Sequence, residues 1–187
     1  MNNSRFVHAS AFALLAAFPV MLIAYVIYAT QLPEALNYVS YLFIGGALVV
    51  GQLQWRAKGA GGYMSYGHAF VYGLFFTITY SILMTVWTGL FVYALAPDFM
   101  DRAMEQAMAE FEKEEDMPAE QIEMAMGIAR SMLTPGFMIT VALLGNLFVG
   151  VIISLITSAF TRKDRDPFQQ QMQQNYQNYQ DYGNPKV

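Results

Sequence analysis

The sequence contains no cysteine and, across most of its length, almost no charge. The first absence excludes disulfides, thiol nucleophiles, thiolate metal sites and haem attachment through Cys-x-x-Cys-His, and it fits any compartment. The second is more informative. Charged residues make up 13% of the chain and hydrophobic residues 56%, whereas about 25% charged is usual for a soluble domain. Basic residues form no patch of the kind that neutralises phosphates, so nucleic acid is not an expected partner. Histidine is scarce as well. His8 and His68 have no carboxylate near them in the sequence. They could pair as a metal or proton site if the two segments meet, but two imidazoles alone are a poor metal set. Solvated, interfacial histidines are the plainer reading. No cofactor, metal or catalytic residue is expected.

What is present is a set of long apolar runs. Residues 6–33, 35–55, 59–97 and 131–161 carry no charge. A bilayer core near 30 Å needs about 20 apolar helical residues. The runs therefore predict four spans, at about 7–29, 35–53, 69–96 and 136–160. The first is too long for a cleavable signal, whose apolar region is about 7–15 residues. It reads as an uncleaved span. The third would reach about 42 Å at 1.5 Å per residue, so it must tilt or project beyond the hydrocarbon.

Charge orients these spans. Arg5, Arg56, Lys58, Arg162, Lys163, Arg165 and Lys186 fall on one side, and segment 98–130 on the other with ten acidic residues against three basic. The positive-inside rule then predicts a multi-pass membrane protein with both termini cytoplasmic. Aromatics agree: Tyr25, Tyr28, Tyr38, Tyr41 and Tyr93 collect at the predicted outer interface, and Trp55, Tyr63 and Tyr66 at the inner one.

Two stripes of small and hydroxyl residues stand out. Gly73, Thr77, Ser81, Thr85 and Gly89 recur every fourth residue in the third span, and Ala142, Asn146, Gly150, Ser154 and Ser158 do so in the fourth. Each lies along one side of its helix. Lipid offers little hydrophobic drive for helix pairing, so close approach and hydrogen bonds must supply it. The stripes read as a packing seam between these spans or within a homo-oligomer. The sharper alternative is a polar lining for a pore. The predicted spans contain no Asp, Glu, Lys or Arg, and only Asn146 is strongly polar near a centre. A path usually needs an ionisable group at mid-depth. Pro19 predicts a mild kink in the first span.

The loop 56–67 holds four glycines, which supply tight turns and positive φ. No Gly-Lys-Ser/Thr ends it, so it is not a phosphate loop. Ser65 is a candidate N-cap for the third span. Its motif residues Gly61, Gly62, Ser65, Gly67, Ala69 and Phe70 lie in the run Gly61-Gly62-Tyr63-Met64-Ser65-Tyr66-Gly67-His68-Ala69-Phe70, followed by Gly73. That run resembles the signature of a bacterial inner-membrane family catalogued as domain of unknown function 4199. Ala96-Pro97-Asp98-Phe99 opening an acidic insert, and Gly150-Val151-Ile152-Ile153-Ser154-Leu155-Ile156 before Arg162-Lys163, extend the resemblance over roughly residues 6–165. It implies four membrane helices in a bacterial envelope protein. The family has no established activity, so no catalytic residue is implied.

Segment 98–133 predicts a helical hairpin. Met100, Ala103, Met104, Ala107, Met108 and Phe111 form one apolar stripe, and Ile122, Ala125, Met126, Ala129, Met132 and Leu133 a second. The acidic run 112–116 makes the turn, and Pro118 sits in the first turn of the second helix. Such a pair packs on itself, lies on the membrane or covers the outer mouth of the helices. Met100, Met104 and Met108 share a side, and thioethers bind Cu(I). Packing or partner contact is the commoner use of methionine. From Phe168 the chain is rich in Gln, Asn and Tyr and cannot bury a core, so 166–187 is expected to be a disordered tail. Its tyrosines could serve as contact points for a partner.

The expected fold is all-α: an integral membrane four-helix bundle, residues 1–165, with an extracytoplasmic amphipathic hairpin between spans three and four. The expected role is a non-enzymatic scaffold or assembly component, whose partners are the lipid bilayer and a homo-oligomer or envelope protein. A small oligomeric transporter or channel is the alternative.

Overall fold

The structure, a computed structural model, describes residues 2–30, 32–111 and 118–164, together with residues 168, 171, 172, 175 and 176. The acidic turn at 112–116 and Arg165 lie outside the described residues, as does most of the tail. The few tail residues described have helical backbone.

The described residues are predominantly helical, and none of them forms a strand. Six helices follow in order: α1 Asn2–Thr30, α2 Tyr38–Gln54, α3 Tyr66–Leu90, α4 Phe99–Phe111, α5 Ala119–Met132 and α6 Pro135–Thr161. A short 3-10 turn, Glu34–Asn37, leads into α2. Two π-helical turns, Trp55–Gly59 and Phe91–Leu95, prolong α2 and α3. Four stretches are long and apolar enough to cross a membrane: Ser4–Thr30, Ala35–Gly59, Tyr66–Leu95 and Pro135–Thr161.

Local chemistry explains the ends. Thr134 caps α6, its Oγ1 accepting from the Phe137 N–H at 3.4 Å, and Pro135 fills the first helical position, where no N–H is needed. Ser65 does occupy the N-cap position of α3, but its hydroxyl makes no cap bond. It pairs instead with His68 Nδ1 at 2.8 Å. Pro118 precedes α5 rather than entering its first turn, because its ψ of 142° is extended. Each π turn closes with a bond five residues back, Ala60 N–H to Trp55 O at 3.0 Å and Ala96 N–H to Phe91 O at 2.8 Å. A Cβ added at Gly59 would come within 2.8 Å of the Trp55 ring, so glycine suits the end of the first π turn.

The helices outrun the charge-free segments, because backbone hydrogen bonding rather than hydropathy sets their length. As a result Arg5, Arg56 and Lys58 stand on helical turns. Arg5, expected outside the first span, lies within α1 and is only 8% exposed. α1 continues as helix through Pro19.

α3 is central, packing against α6 on one side and α1 on the other, while α2 lies against α1 and more lightly against α6. The core pairs small residues with large ones. Ala9, Ala13, Ala16 and Ala17 let α1 approach Tyr72, Phe76 and Tyr80 of α3, and Ile44 and Leu48 of α2 close the cluster. Small against aromatic gives many dispersion contacts at short interaxial distance. The outer surface is strongly apolar, with Phe18, Leu42, Phe148 and Phe160 all exposed. So large an apolar surface suits hydrocarbon, not water.

α4 and α5 pack on each other. Most of their two apolar stripes is half-buried and Met126 is buried, whereas Met108 and Met132 are exposed. The start of α4 leans on the end of α1 and the second π turn. Phe91 contacts Tyr28 and Phe99 edge-on, at 5.1 Å and 5.6 Å between ring centres.

Candidate functional site

The polar stripes of α3 and α6 meet along part of their length. An added Cβ at Gly73 would sit 2.7 Å from Ser154 Cβ and Oγ, and one at Gly150 would sit 2.5 Å from Thr77 Cγ2. Glycine on each helix thus receives a hydroxyl residue of the other. Thr77 Oγ1 and Ser154 Oγ are 3.2 Å apart across the contact. Ser154 and Ser158 also donate to carbonyls one turn back, Gly150 O at 2.7 Å and Ser154 O at 2.5 Å. Such back-bonding satisfies hydroxyls that have no water to reach. Ser81 is fully buried, and its Oγ has no partner among the described residues.

The remaining stripe residues behave differently. Thr85 donates to Ser81 O at 2.7 Å and Asn146 Nδ2 donates to Ala142 O at 2.7 Å, each within its own helix. A Cβ added at Gly89 would lie 3.8 Å from Ile139 Cδ1, an ordinary van der Waals contact. Ala142 and Asn146 line a groove of about 230 Å³ with Tyr41, Leu48, Thr77 and Tyr80, between α2, α3 and α6.

A second polar node joins the ends of α2, α3 and α6, and the sequence reading did not find it. Gln52 is fully buried. Its Nε2 donates to Ala69 O at 3.1 Å and Ser158 Oγ at 3.3 Å, and its Oε1 accepts from Thr161 Oγ1 at 3.0 Å. One turn on, Arg56 donates to Thr161 O at 2.8 Å. The available signal was a glutamine four residues before an arginine, hence on the same side of the helix. Beside this node the glycine-rich loop holds the end of α6. Gly61 and Gly62 turn the chain at φ 64° and 88°, where side-chain-bearing residues are strained. Met64 and Lys163 then exchange both backbone hydrogen bonds, at 2.9 Å and 2.8 Å. Of the other motif residues, Ala69 is buried, Phe70 half-buried and Gly67 exposed with open space around it. The histidines have separate partners: His8 Nδ1 meets the Tyr72 hydroxyl at 2.8 Å, and His68 meets Ser65.

Residues 11–163 match the family described as "Protein of unknown function (DUF4199)". The chain belongs to the DUF4199 family. The match begins inside α1, covers the whole of α2 to α6, and ends on Lys163, the residue whose backbone pairs with Met64. The seam, the Gln52 node and the loop that holds α6 are thus all within the DUF4199 region. No curated protein and no solved structure matches the chain.

At the opposite end of the DUF4199 helices, Asp98 bridges α1 and α4. The Tyr28 hydroxyl donates to its Oδ1, and Arg102 pairs with its Oδ2 at 2.5 Å. The Arg102 guanidinium also lies 5.3 Å from the Tyr28 ring centre. The Tyr28 hydrogen bond holds the Asp98 carboxyl below its usual range. Burial opposes that, and the Arg102 hydrogen bond and charge add to it. Among the described residues, no group of three or more His, Asp or Glu side chains gathers in a way that would hold a metal.

Two outcomes are expected. Gly150→Leu forces a side chain into Thr77 and should cost about 1–3 kcal/mol of stability, the usual penalty of overpacking. Gly145→Leu, with nothing within 4 Å, should shift the thermal midpoint in detergent far less. For Asp98, a lowered folded pKa means that its contribution is complete above the ordinary value of about 3.9 and fades as pH falls through the depressed one. Melting curves recorded from neutral pH down to about 3 should therefore show an acid loss that Asp98→Asn flattens.

Proposed function

We propose that this DUF4199 protein is a non-enzymatic scaffold or assembly component of a bacterial inner membrane. In this reading the four long helices form a membrane-spanning bundle with both termini in the cytoplasm, and α4–α5 is an extracytoplasmic hairpin. One observation carries the functional choice. The most polar stripe of α3 is filled by α6 along Gly73, Thr77, Gly150 and Ser154, with approaches too close for an intervening solute. Polarity there serves adhesion between helices. The exposed apolar flanks and the amphipathic α4–α5 pair supply surfaces for lipid and for other proteins.

The groove beside Asn146 supports a second reading, a small oligomeric transporter whose path forms between copies. Affinity purification from native membranes, with partner identification and mass measurement of the intact complex, separates the two. A stable complex with another envelope protein is expected for a scaffold, and a lone monomer would sink it. Flux in liposomes that Asn146→Leu abolishes without lowering the melting point would favour the transporter.

The orientation has its own test. Because the chain has no cysteine, single replacements report cleanly. In intact spheroplasts, a membrane-impermeant maleimide should label Glu123→Cys and leave Lys58→Cys unlabelled until the cells are opened. The reverse pattern would invert the topology.

A further inference from the structure

We propose that the basic end of the molecule holds a binding site for a phosphate group, centred on Arg5. The site is a cavity of about 390 Å³ between the first turns of α1, the turn after α2, the glycine-rich loop and the residues after α6. Arg5 lines it and is 8% exposed, yet its Nε has no hydrogen-bond partner among the described residues. Lys163 and His68 also line the cavity, and so does one carboxylate, Asp164. Among the described residues the one ion pair within 4 Å is Arg102–Asp98, far along the chain, so Asp164 makes no direct ion pair with Arg5.

A guanidinium nitrogen taken out of water with no hydrogen-bond partner or paired anion is costly for a protein to hold. It persists where the missing anion is a ligand. The planar fork of arginine matches two oxygens of a phosphate at once, and a lysine adds a point charge beside it. Lys163 is well placed to do so, because its ammonium lies 5.6 Å from the Tyr63 ring centre and its backbone is pinned to Met64 by two hydrogen bonds. The loop that resembles no phosphate-binding motif thus contributes position, while the charges come from α1 and the end of α6.

The location selects the source of that phosphate. Trp55 and Tyr63 border the cavity, and amphipathic rings of this kind sit at headgroup depth. Basic pockets between membrane helices take anionic headgroups. The ligand class is accordingly the phosphodiester headgroup of an anionic lipid, with free phosphate as the other carrier of the same chemistry. The inference rests on the membrane placement proposed above, though not on the scaffold role. A protein that spans the bilayer without any partner would still carry this site.

The test uses the full chain in a neutral detergent, titrated separately with phosphatidylglycerol, phosphatidylcholine and inorganic phosphate, and followed by native mass spectrometry and melting. Phosphatidylglycerol should bind at one retained copy and raise the midpoint, while phosphatidylcholine should not. Arg5→Gln and Lys163→Gln should each weaken that binding by about tenfold, as expected for loss of one charge-assisted contact. Arg130→Gln, on the exposed side of α5, should leave it unchanged. If Arg5→Gln fails to fold, Lys163→Gln carries the test, because the bridge to Met64 uses only its backbone. Stabilisation by inorganic phosphate alone, lost in Lys163→Gln, would keep the phosphate site and overturn the lipid source. Equal binding of both lipids would overturn the choice of an anionic lipid, because phosphatidylcholine carries a phosphodiester as well, and binding untouched by Lys163→Gln would overturn the site itself.

Discussion

Helices with apolar outer surfaces gain little by leaving hydrocarbon for one another, so their association depends on how closely their backbones approach. Here that approach is made where α3 meets α6. Gly73 receives Ser154 and Gly150 receives Thr77, each at a distance that no additional side-chain atom would tolerate. The hydroxyls brought together bond each other or the carbonyl one turn back, so the contact carries little unsatisfied polarity apart from Ser81. With α3 held to α6, its opposite side offers Tyr72, Phe76 and Tyr80 to the alanines of α1, and α2 settles over both.

The two ends of this arrangement are secured by different chemistry. At the basic end the fasteners are buried and directional. Gln52 reaches three partners on two helices, Arg56 reaches the last carbonyl of α6, and the Met64–Lys163 pair adds backbone bonds. A buried amide is stabilising only when its bonds are made, which ties the register of α2, α3 and α6 together. At the other end Asp98 is half-exposed and works through charge, holding the start of α4 against Tyr28. Exposed ionic contacts are screened by salt and weakened by acid. The fold is therefore fastened by buried, directional bonds beside the glycine-rich loop and by exposed charge where α4 attaches.

Much of the site was legible as pattern but not as partnership. The fourfold spacing of Gly73, Thr77 and Ser81, and of Gly150, Ser154 and Ser158, marked one side of each helix. Spacing alone could not separate those that cross to the neighbouring helix from Thr85 and Asn146, which bond their own. The reason is geometry: a row of every fourth residue is inclined to the helix axis and winds around it, so it faces a given neighbour over only part of its length. Gln52 escaped notice because it stands beside the interface in sequence, where a polar residue needs no explanation. Burial changed its meaning, since an amide removed from water must find partners.

The pattern of apolar runs sufficed to specify four long helices, their order and the amphipathic pair between the last two, because those features depend on local composition and length. The glycines of the inner loop likewise announced a tight turn, which positive φ at Gly61 and Gly62 requires. Tertiary structure alone decided which side of α3 faces α6, that the turn fastens Met64 to Lys163, and that Arg5 is buried within α1. Each of those outcomes depends on residues distant in sequence meeting in space. The energy of a buried charge or amide is set by such neighbours, not by its place in the chain.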